Sequence, residues 1–183
     1  MRPLLRFDQV GCRRGGRLLF DRLDLALGPG EAVQVAGPNG SGKSSLIRMA
    51  AGLLRPVHGA VERAALALAD DNLALDRELP LKRALEFWGG AVEPAMSSLA
   101  LDALAGVPVR MLSAGQAKRA SLARVASSGA PLWLLDEPLN ALDSDGVGRL
   151  AGLIQAHRAS GGAVLAASHQ PLPGDWTRLE LTP

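Results

Sequence analysis

Hydrophobic spacing along this chain switches repeatedly between an extended and a helical period, and the switches outline a succession of strands and helices. Leu4, Leu5, Phe7 and Val10 predict a first strand, and 18–27 predicts a second, with Leu23, Leu25 and Leu27 alternating against Asp24 and Ala26. Gly28-Pro29-Gly30 breaks the chain before a buried strand around Val33, Val35 and Ala36, and a helix carrying Leu46, Ile47, Met49 and Ala50 follows from about Lys43. Gly52 and Pro56 end that helix, extended structure resumes at 60–62, and Leu66 to Ala69 reads as another buried strand. From Pro80 to Gly106 the period turns helical. Leu81, Ala84, Leu85 and Trp88 share one face, a second short helix is expected over 94–105, and Phe87 and Trp88 are expected in the core of a small helical insert. A further helix over 117–128, a buried strand at 132–135, a helix over 144–160, a buried strand at 163–167 and an edge strand at 176–181 complete the pattern. Strands alternating with helices predict an α/β fold with one inserted helical subdomain, at about 73–128.

The chemistry concentrates where buried strands run out. Four residues separate Gly37 from Gly42, and Lys43-Ser44 follows at once, which is the G-x-x-x-x-G-K-[ST] spacing of a P-loop. Such a loop needs converging backbone N–H groups with no Cβ in the way, so Gly37, Gly40 and Gly42 suit the approach of phosphate oxygens. The remaining loop positions, Pro38, Asn39, Ser41 and Ser45, fall within the same cradle. The helix that follows adds its N-terminal dipole. Lys43 can reach β- and γ-phosphates, and the Ser44 hydroxyl can ligate Mg²⁺. These features predict a P-loop that cradles the phosphates of a bound nucleotide.

Pro131-Leu-Trp-Leu-Leu-Asp-Glu-Pro138 places two carboxylates at the C-terminal end of a buried strand, the end where open α/β sheets hold ligands. Asp136 can hold Mg²⁺ there, and Glu137 can polarise an attacking water. His169, at the end of the 163–167 strand, is a candidate γ-phosphate contact. Ser113-Ala114-Gly115-Gln116 opens the 117–128 helix, with Ser113 a suitable N-cap and Gly115 permitting close approach of another group, so a second anion-binding helix start is expected. Asp70-Asp71-Asn72 leaves another strand end and could ligate metal-bound water. Arg14, in the basic turn between the first two strands, could lay its flat guanidinium on a purine.

Composition narrows the class. A net charge of +2 spread over scattered Arg is too weak to argue for nucleic acid, so no nucleic-acid partner is expected. Cys12 is the only cysteine, which excludes a disulfide framework and fits a reducing compartment. No stretch reaches the roughly 20 apolar residues that span a bilayer, and Met1 to Val10 has no continuous apolar run of signal-peptide length. A cytosolic protein is expected, reaching a membrane only through a partner.

Taken in order, these segments resemble the ATP-binding-cassette ATPases over nearly the whole chain: Walker A at 37–44, the signature at 112–116, Walker B at 132–137, the D-loop at 140–143 and the switch histidine at His169. The resemblance implies a homodimer that sandwiches nucleotide, with ATP on Lys43 of one subunit meeting Ser113, Ala114, Gly115 and Gln116 of the other, and Asp143 lining the seam. It places Asn72 where the family has a glutamine linking Mg²⁺ to the membrane-spanning permease, and Arg14 where an aromatic stacks on adenine. The small size, the short insert, LSAGQ followed by Lys118-Arg119, and Ser168-His-Gln-Pro-Leu172 resemble the ATP-binding subunits that serve cytochrome c maturation. That implies a peripheral subunit on the cytoplasmic face of the bacterial inner membrane, energising haem export or delivery. Transport of a lipid, metal or drug, or a soluble role on ribosomes or DNA, are the alternatives, because none of these motifs touches a transported molecule.

Overall fold

The computed structural model describes residues 2–181. Its strands β3 (Ala32–Ala36), β6 (Leu132–Asp136) and β7 (Ala163–Ala167) are buried at every position. Near-continuous apolar runs of that kind need cover on both sides of a sheet. With β5 (Leu66–Ala69) and β8 (Thr177–Glu180) they form one parallel sheet in the order β5-β6-β7-β3-β8.

Side-chain alternation divides the core in two. Leu132 and Leu134 join Val33, Val35 and Leu165 on one face, packed against α1 (Lys43–Ala50) and β1 (Leu5–Arg14). Trp133 and Leu135 join Ala32, Val164 and Ala166 on the other, under α4 (Ala114–Ser127), α5 (Ser144–Ala159) and the helical insert.

A second, antiparallel sheet has the order β2-β1-β4, with β2 at Arg17–Leu27 and β4 at His58–Arg63. Its β1–β2 hairpin pairs Arg14 with Arg17 across Gly15 and Gly16, at φ 55° and 80°. Two consecutive positive-φ residues are what a tight two-residue hairpin turn demands.

The insert departs from expectation in two places. Helix α2 (Leu81–Glu86) stops before Phe87, which is 80% exposed, and Trp88 is 48% exposed, so neither is a core residue. The chain reverses at Gly89 and Gly90, both at positive φ, and a Cβ on Gly90 would lie 1.8 Å from the Ser127 carbonyl oxygen. Trp88 keeps its indole N–H satisfied on the Ala74 carbonyl at 2.9 Å and lays its ring under the Arg124 guanidinium. The helix expected over 94–105 is also cut short. α3 spans Val92–Ser98, Ala100 turns left-handed at φ 52°, and a single 3₁₀ turn follows at Asp102–Leu104. Leu99 and Leu101 are both fully buried, and a continuous helix would have put residues two apart on opposite sides.

Candidate functional site

Strand order builds the site. β7 lies between β3, which feeds the P-loop, and β6, which ends in Asp136. The C-terminal tips of three neighbouring parallel strands therefore present Lys43, His169 and Asp136-Glu137 to one end of the sheet.

The loop after β3 folds as its glycines dictate. Gly37 has φ 143°, and a Cβ there would meet the Leu181 carbonyl oxygen at 2.5 Å and the Ser41 hydroxyl at 2.7 Å. Gly42, at φ 109°, abuts Leu19 and Phe20 of β2, and Gly40, at φ 82°, faces open space. Lys43 is buried and donates to the Gly37 and Pro38 carbonyl oxygens at 2.9 and 3.2 Å. A cation closing its own loop on two carbonyls can exchange them for phosphate oxygens. Ser41 is buried, and among the described residues its hydroxyl has no hydrogen-bond partner.

Ser44 sits one residue further, and its hydroxyl lies 3.1 Å from Oδ1 of Asp136. Burial pushes the Asp136 carboxyl above its usual range. The Ser44 hydroxyl opposes that, the Asp71 and Glu137 charges add to it, and Arg48 opposes it again. Two hard oxygens converging beside a desolvated carboxylate fit Mg²⁺, whose charge would offset that desolvation.

Glu137 follows in the left-handed region, at φ 46°, with its N–H donated to the Ala167 carbonyl at 2.8 Å. This sparsely populated backbone directs the carboxylate into the cleft rather than along the strand. There Oε2 lies 2.9 Å from Nδ1 of His169. An ionised carboxylate can only accept, so Nδ1 carries the proton of that bond.

A cavity of about 480 Å³ runs from the loop to Glu137, and its lining includes Asn39, Gly40, Gly42, Lys43, Ser44, Ser45, Glu137 and Arg14. Leu19 and Arg48 line it too. Sequence reasoning missed both, although Arg48 lies four residues after Ser44 and so shares its helix face.

The signature residues stand outside this cavity. Ser113 and Gln116 form a reciprocal capping box: the Ser113 hydroxyl accepts from the Gln116 N–H, and the Gln116 amide oxygen accepts from the Ser113 N–H. A Cβ on Gly115 would lie 2.8 Å from the Ala141 carbonyl oxygen, so the close neighbour of that glycine within one chain is the 140–143 turn. Asp143 caps α5, accepting from the Gly146 N–H at 2.8 Å. Asn72 is tethered to Asp70 and lines a neighbouring groove with Trp88 and Arg124, apart from the Ser44–Asp136 pair.

A nucleoside triphosphate is the ligand that would use the glycine loop, the lysine, the paired oxygens and the carboxylate at once, and this combination defines a P-loop nucleotide hydrolase. The family profile described as ABC transporter matches residues 20–140. The chain is 57% identical over 177 residues to the cytochrome c biogenesis ATP-binding export protein CcmA of Sphingopyxis alaskensis, covering 92% of this chain and 91% of the relative. It is 59% identical over 167 residues to the protein of the same name from Novosphingobium aromaticivorans, covering 89% and 87%. Among solved structures it superposes, with a TM-score of 0.79 and 21% identity, on a dimeric ATP-binding cassette in a post-hydrolysis state bound to ADP and Pi, covering 91% of this chain and 88% of that one. The chain belongs to the ABC transporter family, as an ATP-binding cassette that hydrolyses ATP.

Proposed function

We propose that this cassette energises a membrane complex of c-type cytochrome biogenesis that exports or delivers haem. The observation that carries the reading is identity above one half, over most of both chains, to relatives named for cytochrome c biogenesis and export.

In this reading the 37–45 loop and Lys43 hold the phosphates, and Arg14 meets the base. Ser44 and Asp136 hold Mg²⁺, which when bound neutralises charge on the phosphate oxygens. Glu137 orients a water and takes its proton, and His169 keeps that carboxylate aimed while offering its ring to the γ-phosphate. Ser113, Ala114, Gly115 and Gln116 act on the nucleotide of a second copy, with Asp143 along the seam and Asn72 facing a membrane-spanning permease. Their position outside the cavity of their own chain supports this division of labour. Among the described residues no helix is long and apolar enough to cross a membrane. The permease would therefore supply the anchorage, at the cytoplasmic face of the bacterial inner membrane.

Replacing the chromosomal copy by Glu137→Gln tests the reading. Haem covalently bound to c-type cytochromes should fall to background, while membrane b-type haem stays unchanged. Normal c-type cytochromes in that strain would contradict it.

A further inference from the structure

β3 is buried along its whole length, and its middle residue, Gln34, is the only polar one in it. A buried amide is stable where its donor and its acceptor are both engaged. Gln34 engages them far along the chain: Nε2 donates to the Gln170 carbonyl oxygen at 2.7 Å, and Oε1 accepts from the Leu172 N–H at 3.3 Å. These two bonds imitate a rung of a parallel ladder around Pro171, which has no N–H of its own to satisfy. Val33 and Val35 pack on the α1 side of the sheet, so Gln34 points to the other face, where Leu172 enters the core.

The segment held in this way carries His169. The Ser168 N–H donates to the Val35 carbonyl oxygen at 3.2 Å, and the buried Ser168 hydroxyl accepts from the Gln170 N–H at 3.1 Å. The ring itself is oriented from both sides, with Nδ1 2.9 Å from Oε2 of Glu137 and Nε2 3.3 Å from the Gln170 side-chain amide nitrogen. With the proton on Nδ1, Nε2 is free to accept from that amide. A hydrogen-bonded line thus runs from the middle of β3 through Gln170 to His169 and Glu137. Gln34 lies three residues before Gly37, so the strand that delivers the glycine loop also fixes the histidine that aims the carboxylate.

We propose that Gln34 is a positioning residue for ATP hydrolysis, locking the 170–172 backbone so that His169 holds Glu137 in its working direction. The inference rests on the roles given to His169 and Glu137 in the proposed function. Two measurements on the full chain test it. A nitrogen–proton NMR correlation spectrum of the histidine rings without nucleotide, with His169 identified by His169→Ala, reports which ring nitrogen carries the proton. Steady-state kcat and KM for ATP report what the lock does.

Gln34→Met keeps the length of the side chain and removes both bonds. His169 should lose its Nδ1-protonated pattern, and kcat should fall about 10- to 100-fold with KM within about threefold of normal. Gln34→Glu, which burial keeps as the neutral acid with one O–H donor and one carbonyl acceptor, should restore the pattern and most of kcat. If Gln34→Met does not fold, Gln34→Ala removes the same two bonds without added bulk. An Nδ1-protonated pattern that is missing from the unaltered chain or unmoved by loss of the amide overturns the proposal. So does a raised KM at unchanged kcat, which would make Gln34 a support of the phosphate loop. A pattern that moves while both constants stay normal also overturns it, by removing His169 and Glu137 from the reaction and leaving the lock itself standing.

Discussion

Nδ1 of His169 and Oε2 of Glu137 lie 2.9 Å apart although 32 positions separate them in the chain. They meet because β6 and β7 are adjacent parallel strands whose C-terminal ends lie at the same end of the sheet. A carboxylate held by a ring N–H is fixed in direction and still has a second oxygen for a water.

Glu137→Gln keeps the acceptor for His169 but cannot take a proton. It should bind ATP with a Kd within about threefold of the unaltered chain and lose about 10²–10⁴-fold in kcat. Single-turnover hydrolysis and nucleotide binding measured on one preparation check this. Turnover within about threefold of normal would remove Glu137 from the chemistry.

Lys118 reaches from α4 to the Asp136 carbonyl oxygen at 3.3 Å. Burial lowers its pKa, against the opposing pull of Asp71, Asp136, Glu137 and Asp70. In the proposed mechanism it acts as a positioning residue, a cation beside the carboxylates at the end of β6. Lys118→Met keeps the apolar stem and removes the charge, so nearby carboxylates should protonate more readily and the acidic limb of kcat/KM should move to higher pH. We expect a loss of about tenfold at neutral pH, with partial recovery in Lys118→Arg. An unchanged pH profile would reduce Lys118 to packing.

The local chemistry was legible because it is written in contiguous segments: a glycine loop before a helix, apolar runs ending in acids, a serine before a glutamine. Relations between segments were not. Nothing local says that β7 enters the sheet between β3 and β6, yet that order sets His169 beside Glu137. The spacing of Leu81, Ala84, Leu85 and Trp88 fits one helix face, but the turn at Gly89-Gly90 takes Phe87 and Trp88 out of it. The small side required at position 115 was readable, whereas the carbonyl that crowds it comes from Ala141, 26 residues away in a different turn.

At the opposite end of β6, Trp133 stacks on His157 of α5 at 3.8 Å and 9°. A Cβ on Gly162 would collide with that imidazole at 2.2 Å. Burial lowers the His157 pKa, which backbone hydrogen bonding involving Ala163 and Pro131 only partly opposes. The folded chain thus resists protonating this ring while the unfolded chain protonates it near pH 6.5. Its contribution is fully present above that pH and is lost progressively as the pH falls through about 6.5 toward the lower folded value. The urea midpoint should drop between pH 7.5 and 5.5, and His157→Phe, which keeps the stack, should flatten that dependence. Parallel pH curves for the two chains would show that His157 does not titrate on unfolding. Gly162→Ala should destabilise by about 1–3 kcal/mol, because the ring must move.

In the proposed function each nucleotide is held by the lysine loop of one copy and the serine-capped helix of another. Lys43→Ala should disable the first element and Ser113→Arg the second, leaving each pure protein inactive. Mixed in equal amounts, the two variants would form some dimers containing one intact site, Lys43 from one copy facing Ser113 from the other. ATP hydrolysis should then recover to about a quarter of normal, since about half the dimers are mixed and each has one working site of two. Activity of the mixture no greater than that of the separate variants would contradict a site shared between copies.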